Sequence, residues 1–300
     1  MSLPGMIELT DGIVSATVYP SLGSGIGRFD YVADGRSEPL FRPEPAEGPH
    51  HPFDLASQVL VPWSNRISSG GFTFRGKRYR LDPNLEGEPY PIHGNGFAMP
   101  WQLLDTSRTS ATLRLASTGP GAFHYVATLS YGVADGVLTM SLAVENAGDE
   151  AMPFGLGFHP WIVRTSGTRL QARATGAWLE DERHLPKGTS PVEVPREWDF
   201  SEPAGLPAGW INNAFAGWDG FAEIVWVDRG LGLIIRACPT LSTFILYSPS
   251  REAPFFCFEP VSHPVDAFNL PGEATSHGLI VLDPGQQAQV TATFEAIRRF

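Results

Sequence analysis

Glu259 closes the aromatic run Phe255-Phe256-Cys257-Phe258. A carboxylate among such neighbours is costly unless it is hydrogen-bonded or does chemistry. His159 interrupts the small and apolar run Gly155-Leu156-Gly157-Phe158, and His93 opens the glycine-rich stretch Gly94-Asn95-Gly96, where folded backbone can approach a ligand. Asn65 brings a donor and an acceptor, and Arg66 a fixed fork of donors. Taken singly each has an ordinary explanation: a buried neutral histidine with one backbone partner, a loop histidine, a solvated arginine beside a turn asparagine. Together they offer a carboxylate, two imidazoles and an Arg–Asn pair, a set suited to acid–base work on a polyhydroxylated molecule. Trp63, Trp101, Trp161 and Trp218 are candidates to stack on the C–H face of a sugar, with core packing as the competing role.

Other chemistries find no support in the residue patterns. There is no His-Glu-x-x-His motif and no Cys-x-x-Cys pair. Glu259 and His263 lie four apart, but Pro260 and Pro264 break a helical reading. His50-His51 reads as a loop pair. No Gly-x-x-x-x-Gly-Lys loop and no Gly-x-Ser-x-Gly elbow occurs. Neither a metal nor a cofactor is expected.

Residues so far apart in sequence need a fold that brings strand ends together. Gly 32 and Pro 27 make up about one residue in five, against about 12% in ordinary proteins. Proline removes an amide donor and clashes with the preceding turn, so long helices are excluded and short strands are favoured. A hairpin is predicted from Tyr125–Val133 and Val137–Asn146 around Asp135-Gly136, whose backbone can take the positive φ of a tight turn. Two more are expected at Ile224–Arg236 and Phe72–Leu81. Further strands are expected at Val14–Tyr19, Thr112–Ala116, Ser242–Tyr247, Pro254–Phe258, His277–Leu282 and Gln287–Ala296. Only Asp54–Leu60 and Leu179–His184 look briefly helical. Lys187–Gly209 reads as a surface excursion. Many antiparallel strands must hide their edges by stacking or closing, so an all-β sandwich or barrel follows.

The 300 residues carry 21 Lys+Arg against 32 Asp+Glu, a formal charge of −11. That balance argues against nucleic acid or an anionic membrane surface as partner. The start Met1–Met6 shows no basic n-region and no apolar h-region, and no apolar run approaches a membrane span. Cys238 and Cys257 are expected as buried small residues in a reducing, cytoplasmic compartment.

Trp63-Ser64-Asn65-Arg66-Ile67, followed by Gly71–Leu81 and then Ile92-His93-Gly94, resembles the aldose 1-epimerase (galactose mutarotase) family. Gly157-Phe158-His159-Pro160 is similar to its central histidine segment and Phe258-Glu259-Pro260 to its C-terminal glutamate. The resemblance covers residues from about 10 to 297. It implies a large antiparallel β-sandwich of the galactose mutarotase-like type, one domain over 1–300, no cofactor, and a free monosaccharide whose α and β anomers are interconverted. It also implies Glu259 as general base and His159 as general acid, with His93, Arg66 and Asn65 on the substrate. Asn212 stands where the family places a hydroxyl-binding aspartate, while Asp219 is read as a turn residue with Gly220. A protein that kept the fold but only binds or senses sugar is the alternative, and a glycoside hydrolase would need a second acid near Glu259. A monomer or homodimer is expected.

Overall fold

The computed structural model describes residues 5–299. Met1–Pro4, part of the segment read for a leader, lie outside the described residues. Two large antiparallel sheets carry the fold. The first runs Ile7–Thr10, Val14–Tyr19, Gly25–Tyr31, Ser57–Leu60, Gly157–Val163, Phe255–Val261, Thr243–Ser248, Ile211–Ala216, Gly176–Trp178, with Glu38–Pro39 paired to Gly25–Tyr31. The second runs Ala204–Gly205, Thr168–Ala172, Phe221–Trp226, Leu231–Ala237, Gln287–Arg298, Val137–Asn146, Tyr125–Ala134, Ser110–Ser117, Gln102–Thr106. The expected all-β antiparallel sandwich is present.

Side-chain alternation decides which face of each strand is wet. Leu138, Met140, Leu142 and Val144 are buried while Val137, Thr139, Ser141 and Ala143 are half-buried. A period of two puts the first set on the core face. Asp135-Gly136 makes the turn, both with positive φ. Central strands of the first sheet differ, being buried on both faces. Phe158, Ile162, Phe256, Phe258 and Leu246 join one apolar core that extends from Leu9 to Phe294. Their alternates His159, Trp161, Cys257, Glu259 and Tyr247 point the other way.

Both short helices expected from sequence are corrected. Pro52–Asp54 forms one 3-10 turn, with the His51 ring accepting from Phe53 N; Ser57–Leu60 is a strand. Gln58 there stands opposite His159 in the ladder, so sheet pairing overrides local preference. Leu179–His184 is a loop closed by a bridge between Glu180 and Pro186. His184 takes φ 61°, which no right-handed helix can continue. The strand expected from His277 begins at Ile280, because Ala274–His277 is a 3-10 turn. It ends at Gly278, φ +81°, where a Cβ would lie 1.9 Å from Ser262 O. Cys257 is buried as expected, but Cys238 is only half-buried.

Candidate active site

Strand register assembles the centre of the site. Gly157 pairs with Val261 and Trp161 with Cys257, which sets His159 opposite Glu259. Cys257 pairs in turn with Tyr247, and Tyr247 with Asn212. One row on the outward face of the first sheet is therefore Trp161, Cys257, Tyr247, Asn212, with His159 and Glu259 in the row beside it. A cleft of about 370 Å³ opens over these rows, and its lining includes Asn65, Arg66, His93, His159, Asn212 and Glu259. The six polar residues expected at the site from sequence thus meet in one place. The volume is at the lower end for small-molecule sites and suits a monosaccharide.

Glu259 is 2% exposed, and His159 Nε2 lies 3.4 Å from its Oε1. Glu259 Oε2 and His159 Nδ1 are buried without a partner. Burial pushes the Glu259 carboxyl well above the usual carboxylate range, with Arg66 opposing weakly. Burial likewise lowers the His159 imidazole to about 3. The ordinary pKa values that would make Glu259 a carboxylate and His159 titratable near neutrality therefore do not hold in the free protein. A low-dielectric floor disfavours either isolated charge, and the two groups together hold one proton. Moving that proton from Glu259 to His159 yields carboxylate and imidazolium without exchange with solvent.

His159 stacks on Trp161, centroids 5.2 Å apart at 13°. Trp161 Nε1 donates to Gln58 Oε1 at 2.9 Å, and the Arg42 guanidinium lies 4.1 Å from its ring centroid. The imidazole plane is thus fixed from behind.

Two loops bring the other imidazole. Asn65 N donates to His93 Nδ1 at 3.0 Å, and His93 N donates to Asn65 O at 3.0 Å. Accepting at Nδ1 leaves Nε2–H as the donor of a neutral His93 ring. Burial first, then the neighbouring His159, Arg66 and His263, hold its pKa well below the ordinary value. Both Asn65 and His93 adopt positive φ. Gly94 follows at φ +67°, where a Cβ would sit 2.3 Å from Val61 O, so only glycine lets this loop pack beside the Val61–Arg66 segment.

Arg66 is bidentate on Glu88, Nε to Oε2 at 2.9 Å and Nη2 to Oε1 at 2.7 Å. Its remaining Nη1 lies 3.5 Å from Asn65 Oδ1. Asn212 Nδ2 donates to Glu180 Oε2 at 2.9 Å, and the Trp210 indole donates to Glu180 Oε1. Asp219 caps Phe221 N in the expected turn.

Of the four tryptophans proposed for stacking, Trp161 alone lines the cleft. Trp63, Trp101 and Trp218 belong to the core. The exposed aromatic of the site is Trp210, 49% accessible and 5.2 Å from Tyr247. Trp210, Tyr247, Glu88, Glu180 and His184 were not singled out from sequence. The one available signal was Trp210 two residues before Asn212, at a strand entrance. His263 lies outside the cleft: Ser64 N donates to its Nε2 at 3.2 Å and its Nδ1 faces Pro264 O at 2.7 Å. It anchors the Asn65–Arg66 loop from below.

His159, Cys257 and Glu259 place donor atoms within 4.8 Å of one another. Burial holds the Cys257 thiol protonated, well above its ordinary pKa.

A family model described as aldose 1-epimerase matches residues 7–295. The chain belongs to the aldose 1-epimerase family. It is 36% identical over 254 residues to uncharacterized protein YphB of Escherichia coli K12, covering 83% of this chain and 85% of that protein. It is 26% identical to YihR of the same organism, over 74% and 75% of the two chains. Among solved structures it is similar to a putative aldose 1-epimerase from E. coli K12, with TM-score 0.89, 32% identity, and 98% and 99% of the chains covered. A galactose mutarotase-like protein from Clostridium acetobutylicum, 17% identical, shares the fold at TM-score 0.85, with 98% and 95% covered.

Proposed function

We propose that this aldose 1-epimerase family member is a cofactor-independent mutarotase acting on a free, unphosphorylated aldose. The observation that carries the reading is His159 Nε2 standing 3.4 Å from Glu259 Oε1 on the floor of a monosaccharide-sized cleft. In the reacting arrangement the Glu259 carboxylate removes the proton from the anomeric hydroxyl. His159, as imidazolium, protonates the ring oxygen as the C1–O5 bond breaks. The products are an open-chain aldehyde, a neutral carboxyl and a neutral imidazole, the state that burial favours. Rotation about C1–C2 and reversal of both transfers closes the ring as the other anomer. Each positioned proton transfer contributes roughly 10²–10⁴-fold. His93 Nε2–H is assigned to a ring or anomeric oxygen in this reading, and Arg66 Nη1 to a hydroxyl, roles supported by their lining of the cleft.

Among the described residues, Arg66 is the one Lys or Arg lining the cleft, and Glu88 already neutralises it. A sugar phosphate would meet no uncompensated cation, which favours a neutral aldose. Glu88 and Glu180 bring two further carboxylates near the cleft, yet both are committed to donors, which disfavours a hydrolase that needs a free second acid. We read residues 1–300 as one domain, supported by the core shared by both sheets, and the two free thiols fit a cytoplasmic setting.

The test is polarimetry on freshly dissolved α-aldoses and their 6-phosphates. Faster decay to the equilibrium rotation for a free aldose is expected. Binding without acceleration would instead establish the sugar-binding alternative, and a preference for a 6-phosphate would overturn the assignment of a neutral substrate.

A further inference from the structure

Glu180 stands behind the wall of the cleft and contacts three lining side chains. Its Oε1 receives the Trp210 indole N–H; its Oε2 receives Asn212 Nδ2 at 2.9 Å and faces His184 Nδ1 at 2.8 Å. A carboxylate only accepts, so the Asn212 amide must turn its amino group toward Glu180. That leaves Asn212 Oδ1 without a protein donor among the described residues, on the cleft side. By the same logic His184 Nδ1 donates to Glu180.

We propose that Glu180 is a positioning residue that fixes Asn212 as a hydroxyl acceptor. An asparagine held this way does the work of an aspartate acceptor without a second charge. The proposal rests on the mutarotase reading and adds to it the polarity of this end of the site: it takes sugar O–H donors. It also bears on what the aspartate expected from the family resemblance would do here. With Asn212 facing open solvent, Asn212→Asp would add a charge-assisted acceptor and improve galactose turnover. With Glu180 at 2.9 Å, Asn212→Asp sets two carboxylates at hydrogen-bonding distance, where they cannot both ionise freely.

A reciprocal swap tests this. Asn212→Asp should raise KM at pH 8 by about tenfold with kcat changed less than about threefold, the pattern of lost ground-state binding. The penalty should shrink as pH falls, because one shared proton restores a donor toward Glu180 and an acceptor toward the sugar. Glu180→Gln alone should also raise KM, because two amide amino groups then face each other and Asn212 must flip. Combining Glu180→Gln with Asn212→Asp rebuilds the bond with its direction reversed. The side-chain amide introduced by Glu180→Gln keeps its oxygen for the Trp210 indole, and its second N–H meets His184 Nδ1 once that partly exposed ring carries its hydrogen on Nε2 instead. KM should then return to within about threefold of the parent, a coupling that residues without shared partners do not show. A merely structural role predicts additive losses. The inference is overturned if Asn212→Asp matches or exceeds the parent at pH 8, or if the double variant is no better than the worse single one.

Thermal unfolding separates this outcome from failure of the mutarotase reading. If the parent accelerates no aldose, that reading falls. The hub is still read without sugar, because the paired carboxyls of Asn212→Asp have a raised folded-state pKa. The melting temperature of Asn212→Asp relative to the parent should therefore fall from pH 5 to pH 8 and recover in the double variant. A difference independent of pH overturns the hub itself.

Discussion

Glu259 and Glu180 sit at opposite ends of one polar layer and are treated in opposite ways. Glu259 is buried on a strand with Oε2 unpartnered and one imidazole at 3.4 Å. Glu180 lies on a loop, accepts from an indole and an amide, and faces a third group, the His184 ring. Leaving a buried polar atom unpaired costs about 1–3 kcal/mol, more for a charged group. A fold that pays this at Glu259 while satisfying Glu180 keeps one end reactive and the other rigid. The reactive end is built from sheet register, the rigid end from side-chain hydrogen bonds.

The largest effects should come from the reactive end. Glu259→Gln and His159→Asn keep shape and polarity but remove proton transfer, so turnover should drop at least about 10²-fold for each. Calorimetric sugar affinity should change little. A His159→Asn variant with parental turnover would remove the imidazole from the chemistry.

Arg66→Ala addresses binding and should act mainly on KM. A hydrogen bond from a charged donor contributes about 1.5–3 kcal/mol, so KM should rise at least about tenfold. The variant also strands Glu88, so Glu88→Gln with Arg66→Ala is the cleaner comparison. A pure kcat loss would place Arg66 in the chemical step instead.

A smaller effect is expected at Trp210. Aromatic contacts of this kind contribute about 0.5–1.5 kcal/mol, so Trp210→Ala should raise KM up to about tenfold. Trp210→Phe should lose less, keeping the ring but not the donor to Glu180. Equal losses would show that the indole N–H matters more than stacking.

The smallest signal is in stability. A carboxyl whose folded pKa is raised stabilises below its unfolded value, near 4.3, and loses that contribution as pH rises. Glu259→Gln removes this loss. Its melting temperature relative to the parent should therefore climb with pH above about 4.3. The depressed His159 acts with the opposite sign, destabilising below its unfolded value near 6.5. In the parent the two slopes oppose each other between about 4.3 and 6.5, as expected for a unit holding one proton. A flat difference between variant and parent would mean that Glu259 keeps an ordinary pKa.

The reactive end was legible in sequence and the rigid end largely was not. Glu259 and His159 stand out because a strand's neighbours in sequence report its burial, and Phe255–Phe258 around a carboxylate is a conspicuous environment. Asn65, Arg66 and His93 stand out because their glycine and proline context marks folded loops. Glu180 sits in Leu179-Glu180-Asp181-Glu182, which looks like any solvated acidic stretch; the two partners that tie it to the cleft wall across the chain, Trp210 and Asn212, are 30 and 32 residues away. Glu88 is hidden in the same way, its salt bridge to Arg66 spanning 22 residues. Trp63 misleads for the converse reason: its polar followers belong to the site, but its own ring is fully buried in the core. Asp54–Leu60 reads as helical because the short strand Ser57–Leu60, held between two neighbours, has no local signature. The antiparallel architecture itself was legible because proline and glycine density is a property of the whole chain.

The most direct test follows exchange between α and β anomers at equilibrium by NMR saturation transfer, with parent and Glu259→Gln compared at equal sugar occupancy. Transfer between the anomeric protons of an aldose is expected with the parent, and loss of at least about 10²-fold with Glu259→Gln despite retained binding. Equal exchange with both proteins would contradict Glu259 as the base, and bound sugar without exchange in the parent would contradict catalysis altogether.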